Sequence, residues 1–229
     1  MKQAFSEKFQ GFSPRTLRFF HDLDTNNNRE WFAEHRERYL CDVAEPMKRL
    51  AAALISTVRE LDPRIVAEPA RAVSRIYRDT RYARDKSPYR PRMWLAFKRN
   101  LDEWTQSPVF FFQVQEQEYL FGMGMYTAAA ATMRRFRGLI DNDPNRFLKV
   151  LAPFQRSRSL RLESESYKRP LPHRHPAVID PWYQSKTIGV LGRRKPDATL
   201  FSARLVDLLI DRFVQLKPLY DFLWEAVEG

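Results

Sequence analysis

The 229-residue sequence is poor in several features that would narrow its function. A single cysteine, Cys41, excludes a disulfide within the chain and any metal site built from several thiolates. Only seven glycines are present and the 15 prolines are scattered, so the sequence shows no long flexible linker. No apolar run approaches the roughly 18 residues of a membrane-spanning helix, and the first residues lack the apolar core of a signal peptide. The sequence therefore predicts a cytoplasmic, globular protein with no membrane partner.

The charge is strongly unbalanced toward cations. Lysine and arginine number 39 against 28 aspartates and glutamates, a formal net charge of +11. Residues 71–92, which we call the basic segment, carry eight cations and two carboxylates, and hence +6 of that excess. Val73, Ile76 and three tyrosines interrupt these charges, so the basic segment is apolar enough to fold and to hold its arginines in place. Fixed arginines bind anions, but net charge alone does not choose between nucleic acid and small metabolites.

The periodicity of the apolar residues predicts helices at both ends of the chain and strands between them. The helical patterns cover residues 13–23, 29–61 with a break at Pro46, 127–140, 143–154, and 199–228 with an interruption before Pro218. The strand patterns cover residues 73–78, 93–98, 109–115 and 119–125, with short strands near 160–165 and 188–191. This segregation predicts the α+β class: a single domain over residues 1–229 with an antiparallel sheet of about four to six strands, formed by residues 72–125 and the later short strands, packed against the N-terminal and C-terminal helices.

Alternation along the predicted strand would divide the basic segment into two faces. Arg75, Tyr77, Asp79 and Arg81 would share one face, and Ile76 and Arg78 the other. Two arginines on one face repel each other unless a carboxylate or an anionic ligand lies between them. Two hypotheses stay open at this point. The arginines form a polar pocket for a ligand that bears a phosphate or carboxylate group, or they pair with Asp79 and Asp85 in an internal salt-bridge network.

The sequence offers few candidate catalytic groups and no catalytic motif. Lys86 and Tyr89, in a predicted turn at residues 85–88 and just after it, could act as general acid–base groups if burial shifted their pKa values. Asp79 and Glu30 are the carboxylate candidates. Turn chemistry alone also explains the Asp, Ser and Pro of that turn. The chain has no nucleophile elbow, phosphate loop or zinc motif, so we predict no cofactor and no metal site.

The loop after the first predicted helix is the second candidate region. A helix that starts near Arg29 presents free backbone N–H groups, which bind anions, and Asn26, Asn27 and Trp31 lie beside them. The structural alternative is that Asn27 or Asn28 caps the helix and that Trp31 belongs to the core. The binding hypothesis requires this loop to meet the basic segment in space.

Several phrases of the sequence resemble the motifs of a known family. They are residues 26–32 with Tyr39 (NNxREWF…Y), residues 75–82 (RIxRDTRF), residues 85–90 (DKSPYK), residues 122–126 (GGGMY/W, here with Met123), Arg134 with residues 137–140 (RxxI), and residues 167–170 with 175–176 (LKRPPKGYDxDHP). The chain is similar, from about residue 12 to residue 222, to the bacterial and fungal family called domain of unknown function 2461. The resemblance implies a single α+β domain, and it implies no activity, substrate or cofactor.

Three functions remain open. The preferred hypothesis is a protein that binds a small anionic ligand, with or without catalysis. The candidate ligand-binding residues are Arg75, Arg78, Arg81, Lys86, Arg90, Asn26, Asn27 and Trp31. The first alternative is a nucleic-acid-binding protein, since aromatic residues are interleaved with the cations. The second is a structural or adaptor protein whose arginines and aspartates only form salt bridges. The sequence predicts neither the identity of the ligand nor the oligomeric state.

Overall fold

A computed structural model describes residues 8–66, 68–82, 84–155, 157 and 159–229 of the chain. Residues 1–7, to which the signal-peptide prediction in part refers, and Ala83 of the basic segment lie outside the described residues. The helices are α1 (Pro14–Thr25), α2 (Arg29–Glu34), α3 (Arg36–Tyr39), α4 (Glu45–Leu61), α5 (Pro69–Ala72), α6 (Ala130–Asn142), α7 (Pro144–Gln155), α8 (Asp180–Tyr183) and α9 (Arg204–Glu228). The strands are β1 (Arg92–Phe97), β2 (Val109–Gln115), β3 (Tyr119–Gly124), β4 (Leu160–Glu163) and β5 (Gly189–Arg194).

The five strands form one antiparallel sheet in the order β1-β2-β3-β5-β4. The hairpin between β2 and β3 closes with a hydrogen bond from the Gln115 N–H to the Glu118 carbonyl at 3.1 Å. Strand β4 pairs with β5 from Leu160 opposite Gly192 to Glu163 opposite Gly189. The predicted α+β class, the antiparallel sheet and its number of strands are therefore confirmed.

Two glycines of β3 explain how β5 comes so close to it. A Cβ atom on Gly124 would lie 2.7 Å from the Cα of Gly189, and one on Gly122 would overlap the carbonyl oxygen of Val190. Gly122 also has a φ of 155°, in a region that side chains disfavour. Alternating glycines in a strand pattern indicate either a close backbone approach or a bulge, and the structure shows the close approach.

The described residues fall into two compact units that are each assembled from separate stretches of chain. Unit 1 comprises Met1–Phe97, Phe111–Leu120 and Arg194–Ile210, and unit 2 comprises Lys98–Phe110, Phe121–Arg193 and Asp211–Gly229. Within unit 1, Phe12 stacks on Phe112 with ring centroids 5.7 Å apart. Within unit 2, Phe110 stacks on Tyr220 at 4.5 Å. The prediction of a single domain over the whole chain stays a prediction.

The helical prediction for residues 29–61 was only partly right. Pro46 stands in the first turn of α4, as predicted. The preceding residues, however, form two short helices and then a π-helical turn, Leu40–Ala44. The predicted interruption before Pro218 was wrong, because α9 continues through it. The flanking Leu216, Leu219 and Tyr220 are fully buried, and this tertiary packing outweighs the hydrogen bond that a proline inside a helix removes.

The predicted strand at residues 73–78 was also wrong. The chain there makes only two isolated antiparallel bridges, Val73 to Leu95 and Tyr77 to Tyr89. The facing stretch contains Pro88 and Pro91, which have no N–H to donate, so a continuous ladder cannot form. Among the described helices, none is both long and apolar enough to cross a membrane.

Candidate functional site

The N-terminal loop meets the basic segment through Asn27. Its side-chain amide donates to the backbone carbonyl of Tyr89 at 3.0 Å, and its Oδ1 accepts from the Tyr89 N–H at 3.0 Å. These two hydrogen bonds satisfy the backbone carbonyl and N–H of Tyr89 in the way that a neighbouring strand would. The structure thus brings together the two candidate regions of the sequence, but it uses the Asn27 amide for a backbone contact.

Aromatic rings pack beneath this contact. The ring of Phe32, on α2, stacks on that of Tyr89 with centroids 4.1 Å apart, and the ring of Tyr77 lies 5.3 Å from that of Tyr89. Burial raises the pKa of the Tyr89 phenol, and the neighbouring Tyr77 raises it further. The phenol therefore stays protonated at neutral pH and can donate a hydrogen bond, but it is a poor general base.

The two faces that alternation predicted are present although the regular strand is not. Ile76 is buried and Arg78 is half-buried. The other face, formed by Arg75, Tyr77, Asp79 and Arg81, is exposed. Backbone hydrogen bonds from Ser74 to Trp94, from Arg90 to Ile76 and from Arg78 to Pro88 hold this face in place.

Two of the arginines in the basic segment form ion pairs with its two carboxylates. The Arg81 guanidinium contacts Asp79 through Nη2 to Oδ2 at 2.6 Å and through Nε to Oδ1 at 3.0 Å. These hydrogen bonds lower the pKa of Asp79 to about 2. Arg78 pairs with Asp85, whose pKa is lowered first by its hydrogen bonds with Ser87 and then by Arg78. The salt-bridge hypothesis therefore describes part of this segment.

The other cations of the basic segment differ in their contacts. Lys86 donates to the Thr80 carbonyl at 3.0 Å, and the Arg90 guanidinium lies over the Trp94 ring, 5.1 Å from its centroid. Within the described ranges, the exposed side chains of Arg75 and Arg84 form no hydrogen bond or ion pair. The segment thus presents excess positive charge on an exposed face, next to Tyr77 and Tyr82.

Unit 1 contains a second group of arginines, none of which is among the candidate residues named from the sequence. Arg15 and Arg18 on α1, Asp22 on the same helix, Arg38 on α3 and Asp42 on the π-helical turn line a cavity of about 360 Å³. We call this the arginine cleft. Its only signal in the sequence is the helical spacing of the two arginines and Asp22 along one helix. Arg38 and Asp42 belong to other elements and lie beside these residues only in the folded chain.

Two ion pairs fix the arginine cleft. Arg15 Nη2 lies 2.8 Å from Asp42 Oδ1, and Arg38 Nη2 lies 2.9 Å from Asp22 Oδ2. Asp42 is buried, and the Thr16 hydroxyl donates to its backbone carbonyl at 2.6 Å. A buried carboxylate is stable only with a partner, and Arg15, whose side chain is 72% exposed, supplies that partner.

The chain matches a known family over most of its length. The model of the family domain of unknown function 2461 (DUF2461), described as a conserved hypothetical protein, matches residues 15–222. The chain belongs to this family. The match begins on α1 and ends on α9, so it includes both the basic segment and the arginine cleft of this DUF2461 protein. No curated protein matches the chain.

The remaining candidate residues of the DUF2461 protein lie at helix ends. Asn28, one of the two predicted caps, accepts from the Trp31 N–H at 2.8 Å at the start of α2. Asn26 closes the end of α1 by donating to the Asp22 carbonyl at 2.9 Å. Trp31 stacks on His35 with centroids 4.1 Å apart, and Glu30 is exposed in the first turn of α2. These contacts are structural, and a ligand-binding role for these residues stays a prediction.

Unit 2 of the DUF2461 protein has a histidine pair with separate partners. His173 contacts Asp180 at 2.8 Å, and His175 contacts Asp141 at 2.7 Å. The Tyr183 hydroxyl donates to the other oxygen of Asp141 at 3.1 Å. In the part of the chain that the structure describes, no group of three or more His, Cys, Asp or Glu side chains could hold a metal ion.

Proposed function

We propose that the DUF2461 protein binds single-stranded nucleic acid on the exposed face of the basic segment. The observation that carries this proposal is the exposure of two tyrosine rings among uncompensated cations. Tyr82 is 96% exposed and Tyr77 is 60% exposed, and Arg75 and Arg84 are exposed beside them in the sequence.

A single strand has the two chemical features that this face could use. Its phosphates attract guanidinium groups, which form paired hydrogen bonds with them. Its unpaired bases have apolar faces that stack on aromatic side chains without requiring a particular sequence. A tyrosine that is almost wholly exposed keeps its ring in water, and stacking on a base would remove both surfaces from water.

The geometry favours this function over a small-ligand pocket in the same segment. A pocket requires groups that converge on an enclosed space, whereas Arg75 and Arg81 lie exposed along one side of an extended stretch of chain. It also favours binding over a purely structural role, because the two ion pairs account for neither the exposed tyrosines nor the exposed Arg75 and Arg84. Exposed pairs such as Arg81 with Asp79 are weak, so a phosphate can compete for the guanidinium.

Fluorescence anisotropy with labelled single strands of oligothymidylate and oligouridylate tests this proposal. We expect the binding constant to fall with rising salt, as it does when phosphate contacts release counterions. Tyr82→Ala should weaken binding by about tenfold, the loss of one stacked base. Arg84→Gln should weaken binding to all strands and reduce the salt slope by about 1.

Tyr126→Ala is the matched control, since that tyrosine is 82% exposed but belongs to unit 2. It should leave the affinity unchanged. Equal affinities of the wild type and Tyr82→Ala would contradict the proposal, and so would tighter binding to duplex than to single strands, because duplex bases are not free to stack.

A further inference from the structure

The arginine cleft has a charge that its own residues do not balance. Three arginines and two aspartates line it, which leaves one positive charge. Arg15 and Arg38 have aspartate partners. Among the residues that the structure describes, Arg18 has neither an ion pair nor a hydrogen bond to its side chain.

The two paired arginines are held in position and still have donors to offer. A guanidinium carries five N–H donors, and the contacts of Arg15 with Asp42 and of Arg38 with Asp22 each join one nitrogen to one oxygen. Asp42, the anchor of Arg15, is only 7% exposed. The Arg38 guanidinium also lies 5.8 Å from the centroid of the Phe19 ring. Arg38, 36% exposed, therefore loses little freedom when a ligand binds, whereas Arg15, 72% exposed, depends on its buried partner for its position.

The helical irregularity at this site fits a binding role. The π-helical turn Leu40–Ala44 contains Asp42 and joins directly to α3, which carries Arg38. Single π-helical turns are rare within helices and are frequent at functional sites. Here the turn brings a buried carboxylate to Arg15 on another helix, and so builds one wall of the cavity.

We propose that the arginine cleft binds one oxyanion group, a carboxylate or phosphate, of a metabolite-sized molecule. Arg18 supplies the charge that the ligand neutralises, and Arg15 and Arg38 donate further hydrogen bonds from either side. A cavity of about 360 Å³ is at the small end of ligand pockets, which range over about 300–1,000 Å³. None of these residues belongs to the basic segment, so this site is independent of nucleic-acid binding.

Thermal unfolding in sodium phosphate, sodium acetate and sodium chloride, at equal pH and ionic strength, tests the inference. Phosphate or acetate should raise the Tm in a saturable way beyond chloride, and the stronger of the two identifies the group that the cleft accepts. NMR of the ¹⁵N-labelled arginine Nε groups should show the Arg18 signal shifting along the same saturation curve. Arg18→Gln should reduce the affinity by about tenfold, which is the usual loss of a hydrogen bond to a charged group.

Arg59→Gln is the matched control, because Arg59 is an exposed arginine on α4 in the same unit and its removal changes the net charge equally. It should bind phosphate or acetate as the wild type does. The inference is overturned if neither anion exceeds chloride, or if Arg18→Gln and Arg59→Gln behave alike. Tyr82→Ala should not alter this binding, so failure of the nucleic-acid proposal and failure of this one give different results.

Discussion

The basic segment and the arginine cleft use the same residue types in opposite ways. Each combines arginines with two aspartates. In the basic segment the pairs are local, with Arg81 and Asp79 two residues apart and Arg78 and Asp85 seven apart, and both carboxylates are exposed. In the cleft the Arg38–Asp22 pair spans 16 residues, and Asp42 is buried.

The arginines themselves are similarly exposed, since the side chain of Arg15 is 72% exposed and that of Arg81 is 77% exposed, so the two regions differ in the burial of the carboxylate partner. An exposed local pair is screened by water and salt, exchanges partners easily, and suits an extended ligand that makes many weak contacts. An arginine whose carboxylate partner is buried keeps that partner. It suits a small ligand that requires hydrogen-bond donors already in position. The same composition therefore supports two kinds of anion binding in one unit.

Removing one arginine from each region should have the most unequal effects on the free energy of unfolding. Arg15→Gln should lower the free energy of unfolding by about 2–3 kcal/mol, because it leaves the buried Asp42 carboxylate without its partner. Arg81→Gln should lower it by less than about 1 kcal/mol, since both members of its pair are exposed. Urea denaturation followed by tryptophan fluorescence measures both.

The double variant Arg15→Gln with Asp42→Asn serves as the control for this prediction. It removes the uncompensated charge and should recover part of the lost stability. If Arg15→Gln and Arg81→Gln have equal effects, burial of Asp42 does not distinguish the two regions.

The sequence predicted the local features and missed the long-range ones, for a physical reason. Ser13-Pro14 begins α1 and Asn28 caps α2, because capping depends on neighbouring residues. Backbone approach at Gly122 was predictable from the missing side chain alone. The arginine cleft was not predictable in this way. Asp42 reaches Arg15 only because of the π-helical turn, and the spacing of apolar residues does not reveal such a turn.

The basic segment shows the same limit inside one motif. Its alternation correctly separates Ile76 from the exposed Arg75 and Tyr77, since side chains of an extended chain point to opposite sides whether or not it has a full ladder. The regular strand does not form because the facing stretch contains two prolines, which have no N–H to donate. Pro88 and Pro91 were visible in the sequence, but their pairing with this stretch was not.

A smaller effect tests whether the basic segment depends on the N-terminal loop. Asn27→Ala removes both hydrogen bonds to the Tyr89 backbone and should cost about 1–2 kcal/mol of unfolding free energy. The neighbouring Asn26→Ala, which removes one exposed hydrogen bond at the end of α1, should cost less. Urea denaturation of the two variants compares them directly.

Ligand binding by the Asn27→Ala variant also distinguishes the basic segment from the arginine cleft. Loss of this contact frees the basic segment at Tyr89 and should weaken oligonucleotide binding, whereas phosphate or acetate binding in the arginine cleft should persist. Loss of both activities together would show that the two regions are one site.

The smallest predicted effect concerns the pKa of Asp79. Hydrogen bonds from Arg81 lower it to about 2, against 3.8 for an isolated aspartate. A lowered pKa in the folded protein means that the ion pair contributes fully above pH 3.8, and that this contribution disappears as the pH falls toward 2. Arg81→Gln should return the pKa of Asp79 toward 3.8, which ¹³C NMR of the carboxyl group can follow above pH 3.

Asp85 provides the internal contrast for this titration. Its pKa is lowered first by hydrogen bonds with Ser87 and less by Arg78, so Arg78→Gln should raise it only slightly. A large rise at Asp79 without Arg81 and a small rise at Asp85 without Arg78 would show that hydrogen-bond geometry, rather than charge alone, sets the effect of each arginine. A rise at Asp85 as large as that at Asp79 would mean that general positive charge sets both values. The nucleic-acid proposal would then rest on the field of the whole basic segment and not on individually placed arginines.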